Sequence, residues 1–167
     1  ELPREQSRQR RLAVAVTAEQ RQPLFGIEPQ FEVLENRLAV IADRGMVELG
    51  YDAVVLDNHQ AGALATAHLI AAGHRRIGLV NGPEVLRTAA DRLQGYRETL
   101  LGSGIAFDPA LVVDARYREN EAYAAAVQLM QGPNPPTAIF ATNNVMTIGV
   151  MRAVADLGLL CPRDVSV

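Results

Sequence analysis

The strongest constraint on the fold of this chain is a regular alternation between short, continuously apolar runs and longer amphipathic segments. Runs such as Leu38–Ala42 and Leu111–Val113 are apolar at every position instead of at every second one. This pattern is typical of strands that are covered on both faces. In the segments after the later runs, apolar residues recur three and four positions apart, as on one face of a helix. The alternation predicts an α/β fold in which parallel sheets carry helices on both faces.

The predicted elements can be assigned to residues. We expect strands at Leu12–Val16, Leu38–Ala42, Val54–Leu56, Ile77–Val80, Leu111–Val113 and Thr137–Ala141. We also expect a short helix at Pro29–Asn36 and four helices whose inner faces are formed by Ala61, Leu64, Ala65, His68, Leu69 and Ala72, by Ala89, Leu93, Tyr96 and Leu100, by Ala122, Ala125, Ala126 and Leu129, and by Met146, Val150, Ala153 and Leu157. Gly73 and Gly158 follow two of these faces, where glycine commonly ends a helix. On this assignment His68 is a packed histidine, and a further strand begins near the end of Arg163–Val167.

Candidate binding residues are found where the predicted strands end. In parallel α/β sheets, ligands bind beyond the carboxyl ends of the strands. Asp43 offers acceptors there, Asn143 offers a donor and an acceptor, and Arg92 can direct two donors at vicinal hydroxyls or a carboxylate. Tyr117 offers an aromatic face to an apolar or sugar-ring surface. These groups predict a site for a small polar molecule that is sugar-like or nucleoside-like.

Each of these residues also has a structural alternative. Asp43 is equally suited to capping a turn, and Asn143 to capping the last helix. Arg92 has possible ion-pair partners in Asp91 and Glu98 on the same predicted helix. The sequence alone leaves these alternatives open.

Catalytic and metal chemistry is not expected from the motifs present. The chain has neither a Walker A sequence nor a nucleophile elbow, and Gly102–Gly104 follows a helix instead of the strand that a dinucleotide site requires. Its three histidines lack metal-ligand spacing, and the single cysteine, Cys161, is expected to be a buried, inert thiol. We therefore predict no enzyme activity, no cofactor and no metal site.

Charge and hydropathy limit the partners and the compartment. The 167 residues carry a formal net charge of −3, and all sixteen basic residues are arginine, so the chain shows no basic excess of the kind that binds nucleic acid. No apolar run approaches the length of a membrane span. The polar start, Glu1–Gln6, lacks the apolar core of a signal peptide, which favours a cytoplasmic location.

Five motifs in register resemble the LacI/GalR family of bacterial transcription regulators. They are Val55-Leu56-Asp57-Asn58 with Ala61-Gly62-Ala63 and His68-Leu69-Ile70, Gly73-His74-Arg75-Arg76-Ile77-Gly78, Arg92-Leu93-Gln94-Gly95-Tyr96, Pro136-Thr137-Ala138-Ile139-Phe140-Ala141-Thr142-Asn143, and Gly158-Leu159 with Pro162-Arg163-Asp164-Val165-Ser166. Their order and spacing agree with the family over about two-thirds of the chain. In the first fifty residues, only Leu38–Gly45 is similar to a family segment.

The resemblance implies a two-lobed fold of the periplasmic-binding-protein-like type I class, with the effector bound between the lobes. Residues 1–57 would then be part of the N-terminal lobe and residues 58–167 most of the C-terminal lobe, with the fold incomplete at both ends. The residues that fall on the family's effector-binding positions are Asp43, Thr88, Arg92, Tyr117 and Asn143. Asn144 departs from the family, which usually has aspartate there, and this leaves the identity of the effector open.

The resemblance implies an effector-sensing domain of a DNA-binding repressor. That repressor would form a homodimer and bind a sugar-like ligand. The helix-turn-helix segment is absent from the chain as given, so operator DNA would be bound only through that missing segment. Two alternatives remain. An exported sugar-binding protein of a transport system would share the fold but would need a signal peptide, and an α/β enzyme would need a nucleophile with its base or a phosphate loop.

Overall fold

A computed structural model of the chain describes residues 41–42, 53–54 and 56–167. The chain divides into two compact units, Glu1–Leu56 and Asp57–Val167. In the first unit, β1 (Ile41–Ala42) pairs in parallel with β2 (Ala53–Val54). These short strands confirm in part the two strands predicted nearby. The strand predicted at Leu12–Val16 and the helix predicted at Pro29–Asn36 lie outside the described residues, and the assignment of the units to two lobes stays a prediction.

The second unit alternates helices and strands along the sequence, as predicted. Its elements are α1 (Asn58–Ala71), β3 (Ile77–Asn81), α2 (Arg87–Gly102), a 3-10 turn (Pro109–Leu111), β4 (Val112–Asp114), α3 (Glu119–Gln131), β5 (Ala138–Ala141) and α4 (Asn144–Asp156). The helices end where glycine was expected to end them. Gly73 and Gly158 follow α1 and α4 with φ angles of 98° and 72°, a left-handed conformation that glycine adopts without steric cost.

The three strands of this unit form a parallel sheet in the order β4–β3–β5. The central strand β3 is buried at all five positions, which explains its continuously apolar sequence. Beyond β5, Ser166 makes a single parallel bridge to Ala138, at the place where the sequence predicted a further strand. All three carboxyl ends therefore lie at one edge of the sheet.

Side chains that alternate along the strands feed two separate cores, one on each face of the sheet. Ile77 and Leu79 pack with Tyr96 and Leu100, on the side of α1 and α2. Val80 packs in the other core, with residues of α3 and α4 such as Ala122, Ala126, Met146 and Val150. Helices thus cover both faces, and the predicted α/β class with a parallel sheet is confirmed.

The inner face predicted for α1 is only partly correct, because Leu69 packs against the core but the most buried positions were not predicted. The buried residues of α1 are Asn58, Gly62 and Thr66, whereas Leu64 is 63% exposed and His68, expected to be packed, is also exposed. The cause is the close approach of α1 to α2. A Cβ atom on Gly95 of α2 would lie only 2.1 Å from the His59 carbonyl oxygen. Such an approach requires small residues, and a search for apolar periodicity does not identify small residues as an inner face.

The thiol of Cys161 is exposed, so the prediction of a buried cysteine is wrong. Cys161 lies in a turn after α4 that is closed by two hydrogen bonds between Leu160 and Asp164. The Leu160 N–H donates to the Asp164 carboxylate at 2.8 Å, and the Asp164 N–H donates to the Leu160 carbonyl at 2.7 Å. This turn precedes the buried Val165, so the thiol stands outside the core.

Candidate functional site

Four of the five predicted binding residues lie beyond the carboxyl ends of the three-stranded sheet. Thr88 and Arg92 stand four residues apart near the start of α2, and therefore on one face of that helix. Tyr117 lies between β4 and α3, and Asn143 lies between β5 and α4. The fifth residue, Asp43, is outside the described residues.

Tyr117 is held in place by its backbone and by two contacts of its side chain. Both Arg116 and Tyr117 have positive φ angles, 51° and 57°, and the Arg116 N–H donates to the Asp114 carboxylate at 2.8 Å. The ring lies against Gly82, where a Cβ atom would be 2.1 Å from a ring carbon. The Tyr117 and Thr88 hydroxyls are 3.3 Å apart, within hydrogen-bond distance. Non-glycine residues rarely adopt this conformation unless surrounding contacts enforce it.

Arg92 has neither of the ion-pair partners that the sequence suggested. Its Nη1 donates to the Thr142 carbonyl at 2.9 Å, while Asp91 pairs with Arg87 and Glu98 accepts hydrogen bonds from His59 and Gln94. Within the described part of the chain, no other group accepts from its half-buried guanidinium. An arginine has five N–H donors, so most of its donor capacity remains for a ligand.

Asn143 caps α4, which confirms the structural alternative for this residue. Its Oδ1 accepts from the Met146 N–H at 2.8 Å. Its Nδ2 has no protein acceptor among the residues that the structure describes. The same side chain can therefore cap the helix through its oxygen and donate to a ligand through its nitrogen. The neighbouring Asn144 is exposed and accepts from the Val145 N–H.

One polar residue at this edge was missed by the sequence analysis. Asn81, the last residue of β3, is buried, and its side chain contacts both α2 and the loop after β5. The available signal was an asparagine directly after an apolar run. That signal predicts a turn as readily as it predicts a buried amide.

Two of the charge effects in this unit lie at the opposite edge of the sheet. Arg76 precedes β3 and pairs with Asp108 at 2.9 Å, and this hydrogen bond lowers the pKa of Asp108. Burial, together with the nearby Asp108, raises the pKa of Tyr96 to about 12, and the Tyr96 hydroxyl donates to the Ile77 carbonyl at 2.8 Å. These groups therefore serve packing of the sheet and not the candidate site.

The described residues contain no group of three His, Cys, Asp or Glu side chains placed to hold a metal ion. Over the same residues, no helix combines the length and apolarity needed to cross a bilayer.

Comparison with known proteins defines the class of this domain. A family model described as "periplasmic binding protein-like domain" matches residues 66–167, more than half of the chain. The chain is 32% identical over 143 residues to the HTH-type transcriptional repressor PurR of Escherichia coli. This alignment covers 83% of this chain and 42% of PurR. It thus spans about two fifths of the length of that relative.

Solved structures give the same result. A LacI family transcriptional regulator from Mycobacterium smegmatis is 36% identical and superposes with a TM-score of 0.65, over 69% of this chain and 43% of that one. The transcriptional regulator CelR, solved in complex with cellobiose, is 33% identical with a TM-score of 0.66, over 75% of this chain and 39% of CelR. The chain belongs to the periplasmic binding protein-like family, in the form found in LacI-family regulators. The resemblance found in the five motifs is therefore confirmed.

Proposed function

We propose that the chain is the effector-sensing domain of a cytoplasmic transcription repressor and that it binds a small, sugar-like molecule at the carboxyl edge of its sheet. The ligand-binding residues of the second unit would be Thr88, Arg92, Tyr117 and Asn143, and Asp43 stays a prediction from the family resemblance. The observation that carries the proposal is the presence at one edge of an aromatic ring held by its surroundings and of two side chains with unused donors.

The chemistry of these groups suits a polyhydroxylated ring. The unused donors of Arg92 can bridge two adjacent hydroxyl oxygens, and Nδ2 of Asn143 can donate to a third. Tyr117 can cover an apolar C–H face of the ring while its hydroxyl stays with Thr88. No nucleophile–base pair is needed for such recognition, and we propose binding without catalysis. The cellobiose held by CelR, a relative of similar fold, supports a sugar as ligand.

Regulation of transcription is proposed for the whole protein, because the regulators named above share this domain. The formal net charge of −3 argues against this chain as the DNA-contacting part. Effector binding would shift the protein between states that differ in operator affinity. The alternative of an exported transport protein is not supported by the relatives named here, which are transcription regulators.

A homodimer is proposed from the outward face of α4. Val145, Ile148 and Met151 are 39%, 53% and 40% exposed, and they recur every three residues along the helix. Large apolar side chains grouped in this way on a soluble domain often mark a contact surface. A second copy of the same helix is the proposed partner, because a two-fold axis places the same face on both sides of an interface.

The test of the proposed function uses the intact protein. Binding of D-ribose, D-glucose and cellobiose would be measured by calorimetry, and binding of the DNA upstream of its own gene by gel shift with and without each sugar. We expect at least one sugar to bind and to change the DNA affinity. DNA binding that no sugar alters, with no heat of binding for any sugar, would reject a sugar effector. Absence of specific DNA binding would reject the proposed role in regulating transcription.

A further inference from the structure

Asn81 makes side-chain contacts with two separate segments. It ends β3 and is only 1% exposed. Its Nδ2 donates to the Ala89 carbonyl in the first turn of α2 at 3.0 Å, and its Oδ1 accepts from the Thr142 hydroxyl at 3.0 Å. A buried amide is costly unless both of its ends are satisfied. Here each end is satisfied by a different segment of the edge where the candidate site lies.

The backbone of Asn81 reaches a third segment. Its carbonyl accepts from the Ala115 N–H at 2.8 Å, in the loop between β4 and α3. The three segments that Asn81 contacts carry Thr88 and Arg92, Tyr117, and Asn143. Arg92 closes the arrangement by donating to the Thr142 carbonyl at 2.9 Å. One residue that was not predicted as a ligand contact therefore connects every described segment of the candidate site.

We infer that Asn81 is a positioning residue, which fixes the spacing of Arg92, Tyr117 and Asn143 before a ligand arrives. The positioning role of Asn81 rests on the proposed function, whereas the hydrogen bonds that Asn81 makes do not depend on it. A site whose groups are already ordered loses less conformational entropy on binding. An apolar residue at this position would continue the run of β3 but would leave the Thr142 hydroxyl without this partner. The side-chain amide joins the start of α2 to the loop after β5, which explains why an amide is buried here.

Amide hydrogen exchange on the intact protein without ligand tests this inference. Asn81→Ala removes both side-chain bonds, and exchange in residues 85–92 and 142–147 should become about tenfold faster or more. Thr142→Val removes only the hydroxyl and should accelerate exchange in residues 142–147. Thr142→Ser keeps the hydroxyl and should restore the original rate. If Asn81→Ala does not fold, the contrast between the two Thr142 variants decides the question.

Thr66 offers a matched control in the same unit. Its hydroxyl is fully buried and donates to the Gly62 carbonyl within its own helix at 2.8 Å. Thr66→Val should leave exchange at the candidate site unchanged. If Asn81→Ala accelerates exchange equally throughout residues 57–167, or not at all, Asn81 is an ordinary core residue and the inference is rejected.

A binding measurement separates this inference from the proposed function. Failure of D-ribose, D-glucose and cellobiose to bind the unmodified protein would count against the proposed ligand class, while the exchange result would still decide the role of Asn81. If cellobiose binds, Asn81→Ala should weaken it about tenfold. Unchanged affinity in that variant would overturn the positioning role.

Discussion

A Cβ atom on Gly62 would lie 2.3 Å from the carbonyl oxygen of Arg92. Helix α1 therefore touches the backbone of the residue whose side chain is directed to the candidate site. The contact also involves the Arg92 Cα atom, at 2.9 Å from the same position, so no flexible side chain can move to relieve a clash. The placement of Arg92 thus depends on the packing of two helices as well as on its own hydrogen bond.

Gly62→Ala should destabilise the protein by about 1–3 kcal/mol, because the added methyl group would force α1 and α2 apart. The higher helix propensity of alanine opposes this effect by about 1 kcal/mol at most. Urea unfolding would measure the change. Gly102→Ala is the matched control, since a Cβ at that end of α2 meets nothing within 4 Å. Equal stability of the two variants would mean that the helices are not in close contact.

Arg92→Ala should weaken effector binding about tenfold to a hundredfold, because hydrogen bonds from a charged group to the ligand would be lost. Calorimetry with a sugar that binds the unmodified protein would measure it, and circular dichroism would confirm folding. Arg87→Ala removes a mostly exposed arginine from the same helix and should leave the affinity unchanged. Loss of affinity in both variants alike would indicate a general charge effect instead of a specific contact.

The Arg76–Asp108 pair should make the protein more sensitive to acid. The pKa of Asp108 in the folded protein lies below its ordinary value of about 3.9, chiefly because of the hydrogen bond from Arg76, so the folded state binds this proton less readily than the unfolded state. The stabilisation is complete above the ordinary value and is lost as the pH falls through the lowered one.

Asp108→Asn should therefore flatten the acid side of the stability profile, measured by thermal unfolding between about pH 6 and pH 2. The same substitution in an Arg76→Ala background should change the slope less, because the main cause of the lowered pKa is already gone. Identical changes of slope in both backgrounds would assign the effect to another contact, such as the Ala110 N–H that also donates to Asp108.

Ile148→Asp should weaken self-association, because it places a charge in the middle of the outward apolar face of α4. Sedimentation velocity over a range of concentrations would show a shift from dimer to monomer. Leu64→Asp is a suitable control, since Leu64 is equally apolar and 63% exposed but lies on α1. A dimer that survives Ile148→Asp but dissociates with Leu64→Asp would show that the interface is formed by α1 and not by α4.

The sequence predicted most of the second unit because its strands are short, continuously apolar and separated by helices with clear ends. The inner faces of α2 and α3 were also predicted, since leucine, tyrosine and alanine recur there with helical spacing. The inner face of α1 was not, because glycine and threonine form it. A search for apolar periodicity finds large apolar side chains, whereas the close contact between α1 and α2 requires small ones.

The candidate site was predicted by position instead of by contact. Placing residues beyond strand ends was enough to bring Arg92, Tyr117 and Asn143 to one edge, and the family resemblance added Thr88. The hydrogen-bond partner of Arg92 could not be predicted, because the Thr142 carbonyl reaches it only through the register of β3 and β5. The exposure of Cys161 was missed for a similar reason, since it depends on the turn that Leu160 and Asp164 close.

The double use proposed for Asn143 limits which residues can replace it. Aspartate, serine and threonine all supply an oxygen that caps a helix, so each would preserve the start of α4. An ionised aspartate has no proton to offer a ligand, and a hydroxyl that accepts from the Met146 N–H has only one atom with which to serve both partners. The amide separates the two tasks onto two atoms, because Oδ1 accepts from the Met146 N–H and Nδ2 is left for the proposed ligand. At this position, a substitution that preserves the helix can still impair the proposed recognition of a ligand. Measurements of stability alone would therefore overestimate how many residues can replace Asn143.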